Sequence, residues 1–123
     1  MNELDATVMK RLENAKNIWI ATVRPNGRPH LVPIWFAWHE GKLFACIEAS
    51  SVKGRNLQEN SYLSLALEDG SSPIICEGTA RALPHPWPKP VVEQFDQKYA
   101  WDIENDGQYD QVIEILPERW LTW

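Results

Sequence analysis

Residues 18–47, IWIATVRPNGRPHLVPIWFAWHEGKLFACI, carry the reading that decides the fold class. Ile18-Trp19-Ile20-Ala21-Thr22-Val23 is rich in β-branched and aromatic side chains and reads as a strand. Pro25-Asn26-Gly27 is a turn signal that sends the chain back along His30–Trp38, and His39-Glu40-Gly41 turns it again into Lys42–Ile47. Strands joined by connections this short run antiparallel, because a parallel neighbour needs a long crossover.

Working outward, residues 4–16 place Leu4, Val8, Leu12 and Ala15 at helical spacing. A short helix over 53–59 leads to a strand, Tyr62–Leu67, and the turn Asp69-Gly70-Ser71-Ser72-Pro73 leads to another, Ile74–Ala82. Gly78 inside that run marks a bulge, a barrel corner or a close backbone approach. Pro84, Pro86, Pro88 and Pro90 interrupt regular structure. Residues 91–101 then read as a helix with Val91, Val92, Phe95 and Tyr99 on one side, and with Glu93, Asp96 and Lys98 facing away. A last strand is expected over Gln111–Leu116, ended by Pro117, with Glu118–Trp123 as a tail. Six strands in one short domain must manage their edges. A closed or nearly closed antiparallel barrel does so most completely, and an open sheet covered by helices is the competing solution.

Composition limits the function. The chain has 123 residues, 44% hydrophobic, which suits one domain with one sizeable core. Net charge is −5 but uneven: residues 1–60 carry +2 and residues 61–123 carry −7. A nucleic-acid binder needs a broad basic surface and is disfavoured, whereas one small anion bound by the first half is plausible. Cys46 and Cys76 lie in apolar runs and read as buried free thiols of a reducing cytoplasm. The opening Met1-Asn2-Glu3-Leu4-Asp5 leads to no long apolar stretch, so neither a signal segment nor a membrane span is expected. The seven tryptophans exceed what a small barrel encloses, so some should line a cleft or a subunit interface.

Chemistry-bearing motifs are few. No Ser stands in a GxSxG elbow, and His30, His39 and His85 have no metal-ligand spacing with the two cysteines. His30 reads either as a packed histidine or as a cleft donor. The best anion site is Ser50-Ser51-Val52-Lys53-Gly54-Arg55-Asn56-Leu57, which follows the strand Leu43–Ile47 and enters a helix. Hydroxyls, backbone N–H groups and the cations Lys53 and Arg55 could converge there on a phosphate. Successive helical positions are about 100° apart, so Lys53 and Arg55 diverge and Lys53 is the preferred ligand.

In order, Ile20-Ala21-Thr22-Val23, Asn26-Gly27-Arg28-Pro29-His30, Val32-Pro33-Ile34-Trp35-Phe36, Gly41-Lys42-Leu43-Phe44 and Ser51-Val52-Lys53-Gly54-Arg55-Asn56-Leu57 resemble the pyridoxamine 5'-phosphate oxidase-like flavin-binding split-barrel family. Glu77-Gly78-Thr79-Ala80, Ile113-Glu114-Ile115-Leu116-Pro117-Glu118-Arg119 and the terminal Trp123 extend the likeness over residues 5–123. The resemblance implies a mostly β, six-stranded antiparallel split barrel with helices, working as a homodimer with one FMN in each interfacial cleft. It also implies that Ser51 and Lys53, with Arg55 and Asn56 nearby, hold the FMN phosphate. The strand Val32, Pro33, Ile34, Trp35 to Phe36 would lie along the ring, and Ile47, Glu48 and Ala49 would pass the phosphate and ribityl chain.

The chain departs from the true oxidases, which carry arginine and lysine where His30 and Trp35 stand here, and whose Arg-x-His is replaced by Glu118-Arg119-Trp120. Pyridoxal phosphate synthesis is therefore not expected. The resemblance implies instead an FMN-binding, flavin-dependent oxidoreductase of unassigned small-molecule substrate. Its alternatives are a reductase using the deazaflavin F420, with Arg24, Arg28 and Arg55 at the cleft mouth, and a non-enzymatic flavin carrier or haem-handling protein. Haem would call for an axial imidazole from His30, His39 or His85.

Overall fold

The computed structural model describes residues 4–123; the expectation of no signal segment rests in part on residues 1–3, which lie outside the described residues. In chain order the elements are α1 (Ala6–Asn14), β1 (Ile18–Val23), β2 (Pro29–Ile34), β3 (Ala37–His39), β4 (Lys42–Ile47), α2 (Val52–Glu59), β5 (Tyr62–Leu67), β6 (Ile74–Ala82), α3 (Lys89–Tyr99) and β7 (Gln111–Thr122), with a single 3-10 turn at Ile103–Asn105. All ladders are antiparallel and join seven strands in the order β2-β1-β5-β6-β7-β4-β3. The mostly β, split-barrel-like expectation holds, but the sheet is an open, curled half-barrel of seven strands, which corrects the expected six strands and their closed or nearly closed barrel. Among the described residues no helix is long and apolar enough to cross a membrane.

The seventh strand arises because the expected run His30–Trp38 is broken at Trp35-Phe36. Those two residues are all that separates β2 from β3, yet the two strands form opposite edges of the sheet. The sheet must therefore curl until its edges approach, and among the described residues no ladder closes the gap. Side chains of α3 act there in place of a strand. Phe36 N donates to the Tyr99 hydroxyl at 3.1 Å, and Lys98 Nζ donates to Phe36 O at 3.0 Å. Two residues on, Trp38 N donates to Gln94 Oε1 at 2.6 Å and Gln94 Nε2 donates to Trp38 O at 3.0 Å. Gln94 and Lys98 are one helical turn apart and so share a face of α3. Lys98, expected to point to solvent, instead lies with its ammonium 3.9 Å above the Phe36 ring.

β7 supplies the second correction. It runs on through Pro117 to Thr122, pairing with β4 in its first half and with β6 along its length. Proline is tolerated because the ladder is irregular at that point: Gly78 pairs with Pro117 and Glu77 with Arg119, leaving Glu118 as the extra residue of a bulge. A Cβ on Gly78 would run into the Leu116 carbonyl, so the glycine marks a close backbone approach. Trp120 of the expected tail is buried and meets Trp38 edge-on at 5.8 Å.

The sheet separates two apolar clusters. One, inside the curl, includes Leu12, Ile20, Phe36, Leu43, Ile47, Leu65, Ile115 and Trp120. The other lies between α3 and the outer face of β3, β4 and β7, and includes Phe44, Cys46, Trp87, Val91, Phe95 and Val112. Covered on both faces, β4 is an unbroken apolar run rather than an alternating one. Cys46 and Cys76 are both buried and free.

Burial pushes the Lys98 ammonium down to about 8, with repulsion from Lys16 adding to it. Unfolded, a lysine titrates near about 10.4. Between those values the unfolded chain keeps a proton that the folded chain has shed, so this group's contribution to stability rises with pH. Measured by urea unfolding, wild-type stability relative to Lys98→Met should increase from about pH 7.5 to about pH 9.5; a gap that stays flat or narrows would contradict the burial assigned to Lys98.

Candidate functional site

A cleft of about 590 Å³ opens where the end of β2, the end of β4, the first turn of α2 and the segment after α3 meet. Its lining includes Pro33, Ile34 and Trp35 from the first element, Cys46 and Ile47 from the second, and Lys53 from the third. Tyr99 at the end of α3 adds to it, as do Trp101, Asp106 and Tyr109 from the chain beyond that helix. This volume is within the range of small-molecule sites.

Lys53 is placed by a tightly built helix start. Ser51 is the N-cap of α2: its hydroxyl donates to Glu48 O at 2.6 Å and accepts from Gly54 N at 3.2 Å. Arg55 N goes to Ser51 O and Gly54 N to the Ser51 hydroxyl, so the first-turn N–H groups of Val52 and Lys53 are the ones left to offer. Gly54 lets this turn lie against the end of β4, since a Cβ there would sit 2.6 Å from Ala49 O and 2.8 Å from Glu48 O. Lys53 is half-buried; desolvation lowers its pKa, and Glu48 acts the other way. Among the described residues it has no hydrogen bond or ion pair.

His30 stands near this lysine. Arg24 Nη2 donates to His30 Nδ1 at 3.2 Å, and because a guanidinium only donates, the ring is neutral with its proton on Nε2. Burial lowers the His30 pKa first, followed by the charges of Arg24 and Lys53. Arg24 also donates to Pro29 O at 2.8 Å, which ties the β1–β2 hairpin.

The other residues singled out in the sequence are distributed as follows. Val32 packs toward the inner core, and Arg55 is exposed. Asn56 is buried, with Nδ2 donating to Thr22 Oγ1 at 3.0 Å, so its amide joins α2 to β1 and does not face the cleft. Glu48 is committed through its carbonyl to Ser51, and Ala49 N donates to Asp110 Oδ1 at 2.9 Å. Pro33, Ile34, Trp35 and Lys53 are thus brought together on the cleft; His30, Val32, Glu48, Ala49, Ser51, Arg55 and Asn56 are around it or behind it.

Tryptophans at a cleft were expected, Trp35 among them, but Tyr99, Trp101 and Tyr109 were not singled out as its lining. The Trp35 ring stacks on Tyr99 at 4.4 Å with 5° between planes, and Trp101 meets Trp35 edge-on at 5.8 Å. Tyr109 meets Trp101 edge-on at 5.4 Å. Trp101 Nε1 donates to Asp106 Oδ2 at 2.8 Å, while the N–H groups of Gln108 and Tyr109 donate to Oδ1 at 3.1 and 2.8 Å. These bonds, the Tyr109 N–H foremost, hold the Asp106 carboxyl below its usual range. The available signal was Tyr99, Trp101 and Tyr109 closely spaced after an amphipathic helix, in a chain already over-supplied with tryptophan.

The sequence profile of the family described as pyridoxamine 5'-phosphate oxidase matches residues 4–123, and the chain belongs to that family as a generic split-barrel member rather than clearly as the oxidase itself. No curated protein matches the chain. Among solved structures, HutZ, a heme storage protein of Vibrio cholerae, is similar with a TM-score of 0.82 at 18% identity, over 98% of this chain and 95% of that one. A protein described as F420 reductase has a TM-score of 0.75 at 22% identity, over 91% and 94% of the two chains. A conserved hypothetical protein of Mycobacterium tuberculosis has a TM-score of 0.78 at 23% identity, over 100% and 86%. At these identities the likeness establishes the shared fold.

Replacing Gly54 by Ala sets two effects against each other. Helix propensity favours Ala by about 1 kcal/mol. The carbonyls of Glu48 and Ala49 oppose it, because they are backbone and cannot swing away. The clash should win, so that Gly54→Ala lowers stability by about 1–3 kcal/mol in chemical denaturation. An unchanged or raised stability would mean that the α2–β4 contact is looser than described.

Proposed function

We propose that the cleft holds a phosphate-bearing flavin-type cofactor, FMN or the deazaflavin F420, and that the chain is a redox protein acting on a small organic molecule. The observation that carries this reading is Lys53: a half-buried cation on the lining of an otherwise largely apolar and aromatic cleft, beside a helix start with N–H groups to offer. A desolvated lysine with no salt bridge among the described residues suits a ligand that brings its own anion. The apolar side chains of Pro33, Ile34 and Ile47 suit a planar ring system. Lys53 and the N–H groups of Val52 and Lys53 would take the phosphate, with the neutral His30 Nε2–H close by. Trp35, locked by Tyr99, would limit how far the ring and water can move. The bound group would supply the electron transfer, and the protein would supply position and electrostatics.

F420 gains support from the F420 reductase with the same fold and from Arg24 and Arg28 on the hairpin beside His30, which could meet a longer acidic tail. Haem handling is the reading that the similarity to HutZ brings. The cleft lining holds no imidazole among the described residues, so a haem there would need its axial ligand from elsewhere.

Titrating the protein side by side with FMN, riboflavin, F420 and haem tests the reading. FMN or F420 should bind with micromolar or better affinity. Lys53→Ala should weaken FMN by tenfold or more, the loss of one charge-assisted contact of about 1.5–3 kcal/mol, and change riboflavin by less than about twofold. Equal losses for FMN and riboflavin, or binding of haem alone, would overturn it.

The reading includes a second copy of the chain. Trp19, Val23, Leu31 and Tyr62 are exposed on neighbouring strands β2, β1 and β5, an apolar face of the kind that subunits cover. Sedimentation at micromolar concentration should give a dimer, and a monomer at every concentration would remove this part of the proposal.

A further inference from the structure

The charged groups around the cleft come from two separate sets of elements. Lys53 belongs to α2, and Arg24 and His30 to the β1–β2 hairpin; the fields of Arg24 and Lys53 are both felt at His30. Asp106 and Asp110 belong to the segment before β7, and both act on Cys46, whose thiol is pushed up to about 12 by burial first and by these two carboxylates next. The aromatic rings belong with the carboxylates. Trp101 contacts Trp35, Tyr109 and the Asp106 carboxylate directly.

These rings are also fixed before any ligand arrives. The Tyr99 hydroxyl accepts from Phe36 N and donates to Lys16 O at 2.8 Å, which holds the ring on which Trp35 stacks. Trp101 is fixed by Asp106 on one side and by Phe95, 5.6 Å away and edge-on, on the other. Ring faces carry negative quadrupole potential, and the adjacent carboxylate adds a full negative charge. Preorganised rings lose little entropy on binding.

We propose that Trp35, Tyr99, Trp101, Tyr109 and Asp106 form a subsite, distinct from the Lys53 phosphate site, that selects a flat aromatic cation as the molecule presented to the cofactor. As a statement about substrate class it rests on the cofactor reading above; as a binding site it stands on the rings and the carboxylate alone. Lys16 and Lys98 each hold an ammonium 5.4 Å from the Tyr99 ring centroid, and Lys53 lines the other end of the cleft. The negative end is therefore that of Trp101, Tyr109 and Asp106, where a planar anion would meet rings and carboxylate with the wrong sign and a planar cation gains stacking and charge together.

Calorimetric titration with two flat probes of similar shape and opposite charge, N-methylacridinium and acridine-9-carboxylate, tests the subsite. The titration is run with and without saturating FMN. N-methylacridinium should bind at least tenfold more tightly than the carboxylate, with or without FMN. Asp106→Asn should weaken the cation by threefold or more and narrow the gap between the probes. Tyr109→Ala, a change at a half-exposed ring that leaves the core intact, should weaken both probes. Equal affinity for the two probes, a preference for the anion, or loss of acridinium binding when FMN is added would overturn the proposal. A cation preference in a protein that takes up no FMN or F420 would leave the subsite standing and remove the cofactor reading. FMN binding without that preference would do the reverse.

Discussion

The architecture depends on the backbone of Phe36 and Trp38 being bonded by side chains of α3. β2 and β3 lie at opposite edges of a seven-stranded sheet but are joined by two residues, so the sheet can exist only if it curls. Curling leaves a seam where strand pairing stops, and buried backbone groups at a seam are costly unless satisfied. Gln94, Lys98 and Tyr99 satisfy them. The same seam places Trp35 at the cleft, because the residue that leaves β2 has nowhere to go but against Tyr99. Fold and site are in this sense one arrangement: the helix that covers the gap also carries one wall of the cavity.

The electrostatics follow from the order of elements. The basic excess of the first sixty residues is partly gathered at the hairpin and at the start of α2, while the acidic second half sends Asp106 to the far part of the lining and Asp110 to the Ala49 N–H beside it. A chain with net charge −5 can thus present a local cation to an anionic group without being a general anion binder. Half-burial of Lys53 strengthens whatever it meets, since water screens it less.

Much of this was legible locally. The strands Ile18–Val23, Lys42–Ile47, Tyr62–Leu67 and Ile74–Ala82 have the bounds that their flanking turn residues announce, and Gly78 lies at the bulge its position suggested. The break at Trp35-Phe36 was not legible, because the groups that replace the strand there are about sixty residues away in sequence. For the same reason Lys98 reads as a surface lysine on helical spacing alone. Pro117 reads as a strand end, and only the bulge opposite Gly78 reveals why β7 passes through it. Of the cleft, Pro33, Ile34, Trp35 and Lys53 could be named in advance by order and resemblance. The convergence of Tyr99, Trp101 and Tyr109 on Trp35 depends on how α3 folds back over β3.

The two prolines of β2 have a consequence for how these molecules behave in a crowded solution. Pro29, Leu31 and Pro33 alternate with His30, Val32 and Ile34 and pair with Val23, Ala21 and Trp19 of β1. Prolines are admitted on an edge strand where the missing N–H faces away from the ladder. The outward edge of β2 therefore offers the N–H of Leu31 alone where three would otherwise project. At the other edge, β3 is three residues long and its Trp38 groups are taken by Gln94. An open sheet that could have templated fibrils by strand addition is thus blunted at both ends, and neighbouring copies can meet through its faces without running on into a polymer.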